Sequence, residues 1–152
     1  MKLIIVSNRV CYDETPQSGG LAAAVQDMFE TVQGVWVGWS GAVCADCERK
    51  SGVSGNLEYR VFSLNEEEYG QYYLGFSNAV IWPVSHLRSD YLEYSDAAYA
   101  VYKQVNRKFA DEVLACARDD DFVWVHDYHL LLTAQALRDS GFEGAVGYFH
   151  HI

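Results

Sequence analysis

Asp119-Asp120-Asp121-Phe122-Val123-Trp124-Val125-His126-Asp127-Tyr128-His129 is the stretch on which the fold turns. Phe122 to His126 is a short apolar run, bounded by carboxylates before it and polar groups after it, and reads as a buried strand. The three aspartates break a long helix that Ser95-Asp96 caps. Ala98, Val101, Tyr102, Val105, Phe109, Val113 and Cys116 form that helix's apolar stripe. Beyond the strand, Leu130 to Arg138 reads as a helix ending at Gly141, and Ala145 to Phe149 as a further strand. Helices set between strands predict parallel pairing, because a parallel neighbour is reached only through a crossover.

The same alternation runs back to the start of the chain. Lys2 to Ser7 is an apolar, β-branched strand, and residues 8 to 18 are polar loop. Gly19-Gly20 opens an amphipathic helix with Leu21, Ala24, Val25, Met28, Phe29 and Val32 at helical spacing, closed by Gly34. Val35 to Trp39 is the next strand, Ser40 to Gly55 a loop, and Leu57 to Leu64 a strand with Leu57, Tyr59, Val61 and Ser63 on one face. Asn65 before Glu66-Glu67-Glu68 starts a helix, since carboxylates suit the positive end of its dipole. The order β-α-β-β-α-α-β-α-β predicts an α/β fold, a Rossmann-like, mostly parallel sheet with helices on both faces. Gly147 to Ile152 stays apolar and aromatic with no helix to cover the last strand. That predicts an interrupted fold, with a tendency to form homo-oligomers through the open strand.

Length and charge limit the functions available. The 152 residues make one domain or part of a larger one, and 50% hydrophobic content is ample for a core. The net charge of −10, from 21 acidic and 11 basic residues, repels nucleic acid and anionic membranes. No apolar run reaches the ~18 residues of a membrane span, and the apolar start is too short for a signal peptide. Four cysteines form no disulfide framework, so the expected location is cytoplasmic. Phosphate binding stays possible only where a rare arginine is well placed.

In a parallel sheet, ligands bind at the carboxyl ends of the strands. Ser7-Asn8-Arg9, Trp39-Ser40-Gly41, His126-Asp127-Tyr128-His129 and His150-His151 all fall at such ends and should converge along one edge. Arg9, with the glycine-flanked helix start at Gly19-Gly20, suits a phosphate; the plainer reading is a surface arginine beside an ordinary turn. His126, His129 and His151 could ligate a metal, or Asp127 could accept hydrogen bonds from a sugar, or the imidazoles could simply be satisfied by backbone. The i, i+3 spacing across a strand–helix junction weighs against shared ligation. Cys44-Ala45-Asp46-Cys47 sits in loop sequence, and only Cys11 and Cys116 remain to complete a zinc site, so the pair reads as incidental. Tyr72-Tyr73 and Trp82-Pro83, near His86 and Arg88, suit either a sugar face or core packing. No G-x-S-x-G, Walker loop or G-x-G-x-x-G is present, which removes support for serine-hydrolase, P-loop and simple dinucleotide readings.

With these residues in view, the chain resembles the N-terminal portion of the trehalose-6-phosphate synthase family, retaining GT-B glucosyltransferases. The resemblance covers essentially the whole chain. It rests on Val6-Ser7-Asn8-Arg9, Ser18-Gly19-Gly20-Leu21-Ala22, Trp36-Val37-Gly38-Trp39-Ser40-Gly41, Tyr72-Tyr73, and Phe76 through Pro83. Val105-Asn106, Trp124 through Leu131, and Phe149-His150-His151-Ile152 extend it. It implies that Arg9 and Tyr73 hold the phosphate of glucose 6-phosphate. Trp39, Trp82 and Asp127 would bind the acceptor sugar, Gly20 would approach the diphosphate of UDP-glucose, and His151 would contact the transferred glucose. Asp127 and His151 are then the catalytic candidates. No metal or cofactor is implied; UDP-glucose enters as donor substrate, its diphosphate helping to deprotonate the acceptor hydroxyl on one face of the sugar.

Two departures stand out. His150 occupies a position where the family usually carries Leu, and the family's Pro after Ile152 is not reached. The donor-clamping residues of the family belong to a second, C-terminal domain, so residues 1–152 read as an acceptor-binding domain that is inactive alone or works with a separate half. The alternatives are a non-catalytic sugar-phosphate-binding module, or a related synthase with another acceptor such as glycerol 3-phosphate.

Overall fold

β1 (Leu3–Arg9) lies at the centre of the sheet, and the rest of the molecule is arranged around it. In the computed structural model residues 1–12 and 20–151 are described. Six strands run in the order β3-β4-β2-β1-β5-β6, where β2 is Gly34–Val43, β3 Arg49–Ser54, β4 Leu57–Leu64, β5 Phe122–His126 and β6 Ala145–Phe149. Every pairing is parallel except β3 with β4. The expected mostly parallel α/β sheet is thus the observed one.

Side-chain alternation sends the two faces of the sheet to different helices. Ile4, Val6, Val35, Val37, Phe62, Leu64, Val123 and Val125 point to one core, shared with Val101, Tyr102, Val105, Phe109 and Val113 of α4 (Asp96–Leu114) and with Leu137 of α5 (Thr133–Asp139). Ile5, Trp36 and Val61 point the other way, onto Val25 and Phe29 of α1 (Gly20–Phe29). Trp36 is 1% exposed, and its indole N–H donates to Ser7 Oγ at 2.8 Å; unpaired, that buried donor would cost about 1–3 kcal/mol.

The structure corrects four expectations. Ser40 to Gly55 is not all loop: β2 continues to Val43 and Arg49–Ser54 forms β3. β3 is an exposed antiparallel edge strand, rich in polar and basic residues, so no hydrophobic alternation marks it. Gly34 does not close α1, which ends at Phe29; it opens β2, where the Leu3 carbonyl and the Phe29 ring leave no room for a Cβ. Residues after Leu64 do more than start a helix. The Asn65 capping box opens α2 (Glu66–Glu68), which runs into a wide helix over Tyr69–Ile81 and then α3 (Trp82–Ser85). Finally, the helix expected from Leu130 begins only at Thr133, after a 3₁₀ turn at Tyr128–Leu130.

Asn106 explains that turn. Fully buried on α4, its amide donates to the carbonyls of Tyr102 and His129 at 3.0 and 3.1 Å. Its oxygen accepts from the Leu132 N–H at 3.1 Å and the Thr133 hydroxyl at 2.9 Å. Asn106 thus pairs polar groups of His129, Leu132 and Thr133, while the Tyr102 hydroxyl donates to the Tyr128 carbonyl and accepts the Leu131 N–H. Among the described residues no helix is long and apolar enough to cross a membrane.

Candidate functional site

The register of the sheet lines up the carboxyl ends of the strands: Arg9 pairs with Trp39, and His126 with Phe149. Arg9 is exposed at the end of β1 and lies across Gly41, where a Cβ would fall within 2.9 Å of three of its side-chain atoms. Gly41 also has φ +89, so both its conformation and its emptiness serve the arginine. The segment that ends at Arg9 is held by two hydrogen bonds, one to backbone and one to a side chain. Ser7 Oγ donates to the Arg9 carbonyl at 2.9 Å, and the Tyr72 hydroxyl donates to Asn8 Oδ1 at 2.7 Å. Tyr72 is buried, and that burial pushes its phenol well above the ordinary value, so it is a fixed neutral donor.

From Trp39, the strand partner of Arg9, a run of side-chain contacts crosses the edge. The Trp39 ring lies 5.7 Å from Tyr73 and 5.8 Å from Tyr69, which stack on each other at 5.5 Å. Trp39 is only 5% exposed and its indole N–H is engaged by the Ala42 carbonyl at 2.7 Å. Tyr73 in turn stacks on His129 at 5.6 Å with an interplanar angle of 14°, and Tyr128 stacks on His129 at 4.0 Å. His129 Nδ1 is 3.6 Å from Asp127 Oδ2, and both its ring nitrogens lack a hydrogen-bond partner among the described residues.

Asp127 sits at φ 80, ψ 160, a region costly for any residue with a Cβ. Two bonds hold it there: its N–H donates to the Phe149 carbonyl at 2.8 Å, and its Oδ1 accepts the Tyr128 N–H at 2.7 Å. Burial works to raise its carboxyl, but the His129 ring and the Tyr128 N–H outweigh it and hold the group below the ordinary carboxylate range. Next door, His126 Nδ1 meets His151 Nε2 at 3.1 Å. Burial first, and His151 second, push His126 down to about 4, so it is uncharged at neutral pH.

The structure thus brings Arg9, Trp39, Tyr73, Asp127 and His151 to one edge, linked by direct or single-residue contacts. Trp82 stands apart. It is 41% exposed and stacks on His86 at 4.1 Å, its ring partner among the described residues. Gly20 is the first residue of α1; Ser18 and Gly19 lie outside the described residues. His126, His129 and His151 do not form a shared ligand set, and among the described residues no group of three or more His, Cys, Asp or Glu is placed to hold a metal ion. Cys44 and Cys47 are both free thiols. The sequence marks Asn8 only as part of a strand-end segment and Tyr72 only as part of an aromatic patch, and gives Asn106 no site role; buried polar groups leave no periodic signal, and only their partners reveal what they brace. A hollow of about 690 Å³ at the opposite, amino edge of the sheet, lined in part by Lys2, Val32 and Asp119, touches none of these residues.

The model of the family described as Glycosyltransferase family 20 matches residues 2–152. The trehalose-6-phosphate synthase of Citrobacter koseri is 41% identical over 153 residues, covering 99% of this chain and 32% of that protein. The alpha,alpha-trehalose-phosphate synthase (UDP-forming) from Burkholderia vietnamiensis superimposes with a TM-score of 0.94 at 42% identity, over 99% of this chain and 33% of that one. The corresponding enzyme from Burkholderia xenovorans, in complex with glucose-6-phosphate, gives 0.92 at 42% identity, over 100% and 34%. A structure from E. coli bound with UDP-2-fluoro glucose gives 0.91 at 39% identity, over 100% and 33%. The chain spans about a third of the length of these relatives.

Proposed function

This chain belongs to glycosyltransferase family 20, and from that premise we propose that its sheet edge is the acceptor side of a retaining glucosyl transfer from UDP-glucose to glucose 6-phosphate. The observation that carries the reading is the placement of Arg9, paired by backbone with Trp39, on the same edge as the side-chain run Trp39–Tyr73–His129–Asp127. A cation and a carboxylate on one sheet edge suit a sugar phosphate: the phosphate goes to Arg9, and the hydroxyls donate to Asp127. The Burkholderia xenovorans relative was crystallised with the same acceptor, which supports the assignment.

In this reading Arg9 and the Tyr73 hydroxyl bind the phosphate, and Trp39 acts mainly as the wall that sets Tyr73. Trp82 offers an exposed aromatic face to the sugar, and Asp127 orients the acceptor. His151 and Gly20 face the donor. Residues 1–152 then form an acceptor-binding domain, with donor-clamping groups supplied by a further C-terminal domain or a partner. The reading includes a cytoplasmic setting, in keeping with the free thiols of Cys44 and Cys47.

Calorimetric titration of glucose 6-phosphate into the chain and into Arg9→Ala tests the proposal, once circular dichroism shows both are folded. Saturable binding weakened in Arg9→Ala by about 1.5–3 kcal/mol, the range for a hydrogen bond to a charged group, is the expected result. Equal binding by both forms would move the phosphate away from Arg9.

A further inference from the structure

His126 ends β5, immediately before Asp127, and is 3% exposed. It faces Trp124 at 4.5 Å, Phe149 at 6.3 Å and His151 at 5.4 Å between ring centroids. Its Nδ1 is 3.1 Å from His151 Nε2, while its Nε2 is closed off from solvent with no partner among the described residues. Two nitrogens at that separation share one proton, so exactly one of the two rings donates. A neutral imidazole has a single N–H to place. Were it on His126 Nε2, a buried donor would go unpaired, the rarest kind of orphan in folded proteins. On Nδ1 it is used, and only a lone pair is left without a partner.

We infer that His126 is a positioning residue: its Nδ1–H donates to His151 Nε2 and thereby keeps the proton of His151 on Nδ1. In a histidine, the hydrogen bond at one nitrogen decides what the other can offer. Free imidazole side chains favour the proton on Nε2. With Nε2 occupied as an acceptor, His151 presents Nδ1–H and is a donor on its open side. Resting on the function proposed above, this makes His151 a hydrogen-bond donor toward an oxygen of the transferred sugar, with its direction fixed before the donor arrives. The same contact anchors the segment after β6 to the end of β5, next to the Asp127 N–H···O bond to Phe149.

Long-range ¹H–¹⁵N correlation spectra of the ¹⁵N-labelled chain near neutral pH read histidine tautomers directly, with His151→Gln providing the assignment. The expected result is His151 in the Nδ1–H form. His126→Phe should shift it toward the Nε2–H form, and His126→Asn, whose amide N–H can stand where Nδ1–H stood, should restore it. A merely structural role for His126 would not produce that rescue. Wild-type His151 in the Nε2–H form, or a tautomer unmoved in a folded His126→Phe, would overturn the inference. Should His126→Phe not fold, the wild-type and His126→Asn spectra decide the matter. These spectra need no ligand, so they fail independently of the glucose 6-phosphate titration; adding UDP-glucose afterwards tests only whether the prepared donor meets a sugar.

Discussion

Asp127 combines a strained backbone with a useful carboxylate, and the two can be separated by substitution. At φ 80, ψ 160 it occupies a region that only glycine enters freely, at a cost of roughly 1–3 kcal/mol. Its Oδ1 bond to the Tyr128 N–H returns about 0.5–1.5 kcal/mol. Asp127→Gly removes both, so its urea midpoint should correspond to wild-type stability within about 1 kcal/mol. Asp127→Ala keeps the strain and loses the bond, and should be less stable than Asp127→Gly. Both should lose glucose 6-phosphate affinity. An Asp127→Gly protein that is stable and still binds normally would remove the carboxylate from the acceptor site. The φ of Asp127 is invisible in the sequence, whereas its carboxylate at a strand end is plain.

Between α4 and the β5–α5 turn, Asn106 makes more of the hydrogen bonds than its neighbour Tyr102. Asn106→Leu would leave the His129 carbonyl, the Leu132 N–H and the Thr133 hydroxyl without their partner. At about 1–3 kcal/mol for each buried group left unsatisfied, a loss of at least 3 kcal/mol in urea unfolding is expected. Ser95→Ala is the control on the same helix. It removes only the cap on the Ala98 N–H, costs about 1 kcal/mol, and should leave acceptor affinity unchanged. Comparable losses from the two substitutions would show that the turn is held by its apolar contacts instead. The α4 stripe and the β5 strand are legible because apolar periodicity reports burial directly. β3 and the wide Tyr69–Ile81 helix are not, because edge pairing and i→i+5 bonding depend on neighbours rather than on local pattern.

For the molecule as a whole, acid should be more damaging than its composition suggests. His126, pushed from 6.5 to about 4 by burial and by His151, takes up its proton in the unfolded chain before the folded one. Stability should therefore be full above pH 6.5 and fall as the pH drops toward 4. Asp127, held low by His129 and Tyr128 against its burial, adds stability that is lost at still lower pH as it protonates. Urea midpoints measured from pH 7.5 to 4.5 should decline for the wild type and decline less for His126→Asn; parallel curves would assign the loss to other groups. Activity is a second property of the whole. On the proposed function, residues 1–152 alone should release no UDP at steady state from UDP-glucose and glucose 6-phosphate, as followed by a coupled assay, because this edge would supply only the acceptor side of the transfer. Sustained UDP release would sink that expectation.

The amino-acid sequence by itself determined the strand–helix alternation, the sense of the parallel sheet and the edge on which Arg9, Asp127 and His151 meet. All three follow from local hydrophobic period and from the rule that parallel strands present their carboxyl ends together. Tertiary structure alone decided which groups touch. It laid Arg9 across Gly41, walled Tyr73 between Trp39 and His129, set Trp82 against His86, and joined His126 to His151. Most of those contacts join residues far apart on the chain, and elsewhere in the fold the Lys2 N–H reaches Asp121 across 119 positions. Close packing and the pairing of buried polar groups select them, and neither leaves a periodic mark along the chain.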